Sequence, residues 1–212
     1  MDFLTPALQK YVEDHSAPES PLLSQINRET HLKVLKPRML SGHLQGRVLS
    51  MLSHMIAPKY ILEVGTYTGY SALSLAEGLQ KDGKLITIDV NKELEHVVRD
   101  YFDQSHYKEQ LTLMIGKAKE IIPTLDYQWD LVFVDADKES YADYFGLSLP
   151  QLRSGGFMIF DNVLWSGKVA ELDKDDKATN SIRAFNLMVQ DHSGVENVLF
   201  PIRDGLMIVR KL

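Results

Sequence analysis

Two short acidic stretches carry the residue types best suited to chemistry, Asp135-Ala136-Asp137-Lys138 and, further along, Asp161-Asn162. Each follows an apolar run, residues 129–134 and 157–160, of the kind that forms a buried strand. In open α/β sheets, ligands bind outside the carboxyl ends of the strands. Two carboxylates, an amide oxygen and an amine at such ends predict a hard divalent cation with a basic group beside it. Magnesium binds through one or two carboxylates and leaves the remaining octahedral positions to water and substrate oxygens. Asp135, Asp161 and Asn162 supply three oxygens for that role. The seven histidines are scattered without a His-x-x-x-His pair and cysteine is absent, so a zinc site is not expected.

Lys138 lies one turn past Asp135. Beside a bound cation its pKa should fall below the ordinary ~10.4, because like charge disfavours the ammonium, and a neutral amine could then act as general base. A phenol on the same ion would be acidified, as metal-bound water is.

A second polar group surrounds Gly65-Thr66-Tyr67-Thr68-Gly69, which joins the apolar run Ile61-Leu62-Glu63-Val64 to a helical stretch. The spacing is neither the Gly-x-Gly-x-x-Gly pyrophosphate fingerprint nor a phosphate loop. Glu63 would repel a phosphate but suits a cationic or amino-bearing ligand. Asp89 ends the next apolar run, twenty residues after Gly69, where an acid accepts hydrogen bonds from ribose hydroxyls. An adenosine compound that lacks phosphate and carries positive charge fits, and S-adenosylmethionine is such a ligand. The glycine spacing weighs against a nicotinamide dehydrogenase. The full Asp135, Lys138, Asp161 and Asn162 set weighs against a non-catalytic binding protein.

These groups need a scaffold, and the pattern of the 212 residues predicts one. Helices are expected at 6–15, 20–35 and 41–56, punctuated by Pro18, Pro21 and Pro37. Short apolar runs then alternate with amphipathic stretches: strands at 60–64, 84–88, 111–115, 131–134 and 157–160, with helices near 70–79, 93–104, 118–125 and 141–152. That alternation means βαβ units and a parallel sheet with helices on both faces. A helix at 177–190 leads to strands at 195–200 and 206–210. The intervening Pro201-Ile202-Arg203-Asp204-Gly205 is too short for a parallel crossover, so this last pair must be antiparallel. Many methyltransferases have a parallel sheet closed by such a hairpin.

One domain is expected over 1–212, with N-terminal helices at 1–58 and a binding core at 59–212. The composition, 44% hydrophobic and 25% charged, is that of a soluble globular protein. No apolar run approaches the ~20 residues of a membrane span. The polar start shows no signal-peptide pattern, and a cytoplasmic address is the default. The net charge of −6 gives no general attraction to nucleic acid.

On the motifs LEVGTYTGYSAL, VDADK and FDNVLWSGKV, the chain resembles the cation-dependent O-methyltransferases that include catechol and caffeoyl-coenzyme A O-methyltransferases, and small bacterial members above all. The resemblance implies a seven-stranded Rossmann-like α/β sheet and S-adenosylmethionine as methyl donor. It implies that Glu63, Gly65 and Thr66 line the methionine end, Ser71 meets the carboxylate, Asp89 the ribose and Ala118 the adenine, while Ser41 and Asp137 also face the cofactor. It makes Asp135, Asp161 and Asn162 ligands of Mg²⁺ (or Mn²⁺ or Ca²⁺), and Lys138 the base. Met39, Trp165, Ser166 and Asn186 are the acceptor-side candidates. The implied acceptor is a small aromatic diol. Some bacterial relatives instead methylate a hydroxylated uridine of transfer RNA, which the acidic balance of this chain disfavours. In many members the N-terminal helices build an acceptor pocket or a dimer interface, so a homodimer is expected.

Overall fold

The computed structural model describes residues 5–212; the first four residues of the expected N-terminal segment lie outside the described residues. The first helices begin where the sequence supplies caps. Thr5 accepts from the Leu8 amide to open α1 (Pro6–Asp14), and Ser20 accepts from the Leu23 amide to open α2 (Pro21–Lys33). In each, proline occupies the first turn, where its missing N–H costs nothing. A third helix, α3 (Gly42–Ile56), stops at Ala57, which adopts a left-handed conformation.

The alternating part then follows in order: β1 (Tyr60–Val64), α4 (Tyr70–Ala76), β2 (Lys84–Asp89), α5 (Glu95–Gln104), β3 (Leu111–Ile115), α6 (Ala118–Ile121), β4 (Trp129–Val134), α7 (Tyr141–Ser148), β5 (Leu152–Asp161), α8 (Lys177–Gln190), β6 (Val195–Phe200) and β7 (Leu206–Lys211). Among the described residues seven strands form one sheet in the order β3-β2-β1-β4-β5-β7-β6. The pairs β1–β2, β2–β3 and β4–β5 are parallel, whereas β5–β7 and β6–β7 are antiparallel, as the short final connection requires.

The chain packs as two compact units, residues 5–117 and 118–212. In the first, α4 is buried along its whole length, and Ile61, Leu62, Leu85, Ile88, Leu23 and Ile26 fill the core. In the second, every residue of Leu131–Val134 is buried, as a parallel central strand demands. Its core is aromatic. Phe160 of β5 and Phe185 of α8 have ring centroids 4.6 Å apart, and Tyr141 of α7 lies 5.4 Å from each. Such pairs add about 0.5–1.5 kcal/mol each beyond their area. They fix the end of β5 against two helices.

The largest departure from the expected elements is at β5. The preceding helix was expected to reach residue 152 and the strand to begin at 157, yet α7 ends at Ser148 and β5 starts at Leu152. Pro150 cannot extend a helix. Gly155, with φ 72°, then lets the strand bend, and the pairing shifts from Trp129↔Leu152 to Leu131↔Phe157 across it.

Candidate active site

In residues 5–117 the polar groups gather where β1 and β2 end. The turn after β1 holds three left-handed residues, Gly65 (φ 100°), Tyr67 (φ 49°) and Gly69 (φ 82°). At Gly69 a Cβ would stand 2.9 Å from Cε1 of Phe102, so the site needs glycine for space as well as for backbone angle. Glu63 is fully buried, and its carboxylate accepts from the Thr87 hydroxyl. The Thr87 and Thr66 hydroxyl oxygens are 2.5 Å apart, which joins Glu63 and Thr66 in one network. Asp89 accepts from the Tyr67 amide at 2.7 Å and from the Asn91 amide at 2.8 Å. Its carboxylate therefore orients the glycine turn from the next strand. Ser71 is buried in the first turn of α4, Ser41 is buried just before α3, and Met39 is exposed in a short 3₁₀ turn at Pro37–Met39.

In residues 118–212 the acidic stretches also sit at strand ends. Asp161 is the last residue of β5, is 2% exposed, and accepts from the amide of Asn162 at 2.7 Å. Asp135 directly follows β4 and lies 2.8 Å from Nζ of Lys138. The same Nζ donates to Oη of Tyr141 at 2.7 Å, and Tyr141 donates to the Asp161 carbonyl at 2.7 Å. Lysine, phenol and carbonyl thus form a continuous chain that ties the two acidic stretches together. Tyr141 was not singled out from the sequence. Its position three residues after Lys138 was the one available signal, and an aromatic on an apolar helix reads as core.

Burial alone would lower the Lys138 pKa, but Tyr141 and the carboxylates of Asp135 and Asp161 outweigh it and hold it above the ordinary lysine range. In the protein's own field the shift is therefore opposite to the one expected beside a cation. Burial pushes the Tyr141 phenol up despite Lys138. The donor set of Asp135, Asp161 and Asn162 is all hard oxygen, which fits magnesium or manganese and not a thiophilic metal. Among the described residues no three His, Cys, Asp or Glu side chains come together as a metal site.

Asp137 accepts from the Tyr144 hydroxyl at 2.6 Å, and Ala118 is buried at the start of α6. After Asn162 the backbone is unusual. Asn162 (φ 60°), Trp165 (φ 48°), Ser166 (φ 56°) and Gly167 (φ 83°) are all left-handed. Asp204, in the β6–β7 turn, accepts from the Ser166 amide at 2.5 Å, and the carbonyls of Gly205 and Asp204 receive the amides of Val163 and Leu164. Asn186 donates to the Val163 carbonyl at 3.0 Å. Among the described residues, the side-chain oxygen of Asn186 and Nε1 of Trp165 are buried and have no hydrogen-bond partner. Buried polar atoms of this kind cost about 1–3 kcal/mol unless a ligand or water satisfies them.

A sequence profile described as O-methyltransferase matches residues 13–212. A catechol O-methyltransferase of Niastella koreensis is 34% identical over 72% of this chain and 71% of its own length. A caffeoyl-CoA O-methyltransferase of Petroselinum crispum is 29% identical over 97% of this chain and 91% of its own. Among solved structures, the O-methyltransferase TomG of Streptomyces achromogenes, crystallised in complex with S-adenosylmethionine, superposes with a TM-score of 0.89 at 27% identity, covering 97% of this chain and 96% of that one. The glycine turn without a phosphate fingerprint, the antiparallel closing hairpin and a family match over nearly the whole chain lead to one conclusion: this chain belongs to the O-methyltransferase family, whose reaction is methyl transfer from S-adenosylmethionine.

Proposed function

We propose that this protein methylates one hydroxyl of a small aromatic diol in a reaction that depends on a divalent cation. The observation that carries this reading is the Asp135–Lys138–Tyr141–Asp161 chain at the ends of β4 and β5. The names of the relatives above, a catechol and a caffeoyl-CoA O-methyltransferase, support the acceptor class.

In the reaction an acceptor oxygen attacks the methyl carbon opposite the sulfonium. The O–CH₃ bond forms as the C–S bond breaks, and S-adenosylhomocysteine leaves. Asp135, Asp161 and Asn162 would hold the ion; when bound, a divalent cation neutralises these carboxylates and acidifies the acceptor hydroxyl. With the field of those carboxylates offset, Lys138 would stand as the neutral amine and receive the hydroxyl proton at Nζ. Tyr141 accepts from that amine and is itself held by its bond to the Asp161 carbonyl. Ser41, Glu63, Gly65, Thr66, Ser71 and Asp89 are the cofactor contacts we assign within residues 5–117. Ala118 and Asp137 are those within residues 118–212. Met39, Trp165, Ser166 and Asn186 are assigned to the acceptor. Fixing the reactants in line supplies much of the acceleration, since well-oriented reactants can gain roughly 7–11 kcal/mol.

No described helix is long and apolar enough to cross a membrane, which is compatible with a cytoplasmic enzyme. A homodimer follows the family expectation, and α1 buries none of its residues within one chain. Light scattering at the mass of one 24.1 kDa chain would count against it. The central test is a methyl-transfer assay on catechol and caffeate with and without Mg²⁺. Unchanged turnover in excess chelator would remove the cation from the mechanism.

A further inference from the structure

The segment between Asn162 and α8 has little regular structure of its own. It is a distorted 3₁₀ stretch, Trp165–Ala170, followed by turns up to Asp176. One side chain gathers it. Arg183, half-buried on α8, donates through Nε to the Val169 carbonyl at 3.0 Å. Its Nη1 donates to the Lys174 carbonyl at 2.7 Å and to the side-chain oxygen of Asn180 at 3.2 Å. Its Nη2 donates to the Lys168 carbonyl at 2.9 Å and to the Glu171 carbonyl. Every N–H of the guanidinium is thereby used, and all but one go to main-chain carbonyls of residues 168–174. Among the described residues no ion pair engages Arg183, and the ion pairs Lys168–Asp176 and Lys174–Glu171 are partly exposed, at 3.7 Å, and add little.

We propose that Arg183 is the positioning residue of the acceptor loop: its guanidinium fastens residues 168–174 to α8 and thereby holds Trp165 and Ser166 in the left-handed conformations that the acceptor site needs. The inference rests on the assignment of Trp165 and Ser166 to the acceptor. Left-handed non-glycine residues cost about 1–3 kcal/mol each and persist only where surrounding structure over-determines them. Asp204 fixes the near end of the loop through the Ser166 amide, and Arg183 fixes the far end. Lysine cannot substitute, since a compact ammonium cannot reach carbonyls spread along a planar fork.

The test compares Arg183→Ala and Arg183→Lys with wild type by hydrogen exchange and by steady-state kinetics with caffeate, Mg²⁺ and S-adenosylmethionine. In both variants the amides of Ser166, Gly167, Glu171 and Lys174, each hydrogen-bonded in the folded loop, should exchange about tenfold faster or more. The strand amides of β4 should keep their protection. The KM for caffeate should rise about tenfold while the dissociation constant for S-adenosylmethionine, measured by calorimetry, stays within about twofold. Wild-type protection of the loop in either folded variant would overturn the clamp. Loosening of the loop with an unchanged caffeate KM would overturn the acceptor assignment and leave the clamp standing, so the two failures are distinguishable. Arg183→Lys retains the charge, so it still decides the matter if Arg183→Ala does not fold.

Discussion

The turn after β1 and the loop after β5 solve one problem in different ways. Both leave a strand carrying a buried acid, Glu63 in one and Asp161 in the other, and both need left-handed backbone to turn sharply. The first turn gives two of its three left-handed positions, 65 and 69, to glycine. The second gives three of its four, 162, 165 and 166, to residues with side chains. Glycine adopts that conformation at no steric cost, so the first turn needs little outside help beyond Asp89. The second must be held from outside by Asp204 and Arg183. A loop that keeps side chains at left-handed positions gives up the cheap backbone and requires more tertiary support.

The largest effect should come from breaking the acid of the second region. Asp161→Ala should reduce methyl transfer to background, while calorimetry finds S-adenosylmethionine binding within a few-fold of wild type. Retained turnover would show that the two buried acids are not divided between acceptor and cofactor. Next, Lys138→Met should lower kcat about 10²–10⁴-fold, the range for a lost proton-transfer group, without altering cofactor affinity.

Gly69→Ala and Asp204→Ala form a matched pair that sharpens the contrast. The first forces a side chain to φ 82° against Phe102, at a cost of about 1–2 kcal/mol, and should weaken cofactor binding about tenfold. The second removes the partner of the Ser166 amide and should raise the caffeate KM by about five- to tenfold with cofactor binding intact. Equal effects of both on both ligands would dissolve the distinction.

The smallest effect concerns alkaline stability. Burial, with Glu29 beside it, pushes the Tyr101 phenol up to about 12. A pKa raised in the folded state gives stability that is complete below pH ~10 and is lost as pH rises towards the folded value. Tyr101→Phe should therefore flatten the fall in melting temperature between pH 10 and 12 by about 2–4 °C. An unchanged slope would show that this phenol does not contribute.

Much of the architecture was legible. The strands at 60–64, 111–115 and 195–200 and the helix at 177–190 stand where the apolar pattern puts them. Burial on both faces leaves a continuous apolar run, which is a strong local signal. The start of β5 was hidden because Gly155-Gly156 interrupts that run, and only pairing with Trp129 recruits Leu152. The pairing of Lys138 with Asp135 could be anticipated from a spacing of one turn.

By itself the sequence determined the chemical inventory: a glycine turn unsuited to phosphate, acids at the ends of apolar runs, a lysine one turn from an acid, and a terminal hairpin. Those features are local, set by residue type and spacing within a few positions. Tertiary structure alone decided the rest. Tyr141 became a link between Lys138 and the Asp161 carbonyl because α7 packs against β5. Arg183 became a clamp because its partners are main-chain carbonyls, which every residue possesses and no sequence pattern marks. The direction of the Lys138 shift belongs there too, since the balance between burial and neighbouring charge exists only once the strands have brought Asp135 and Asp161 to it.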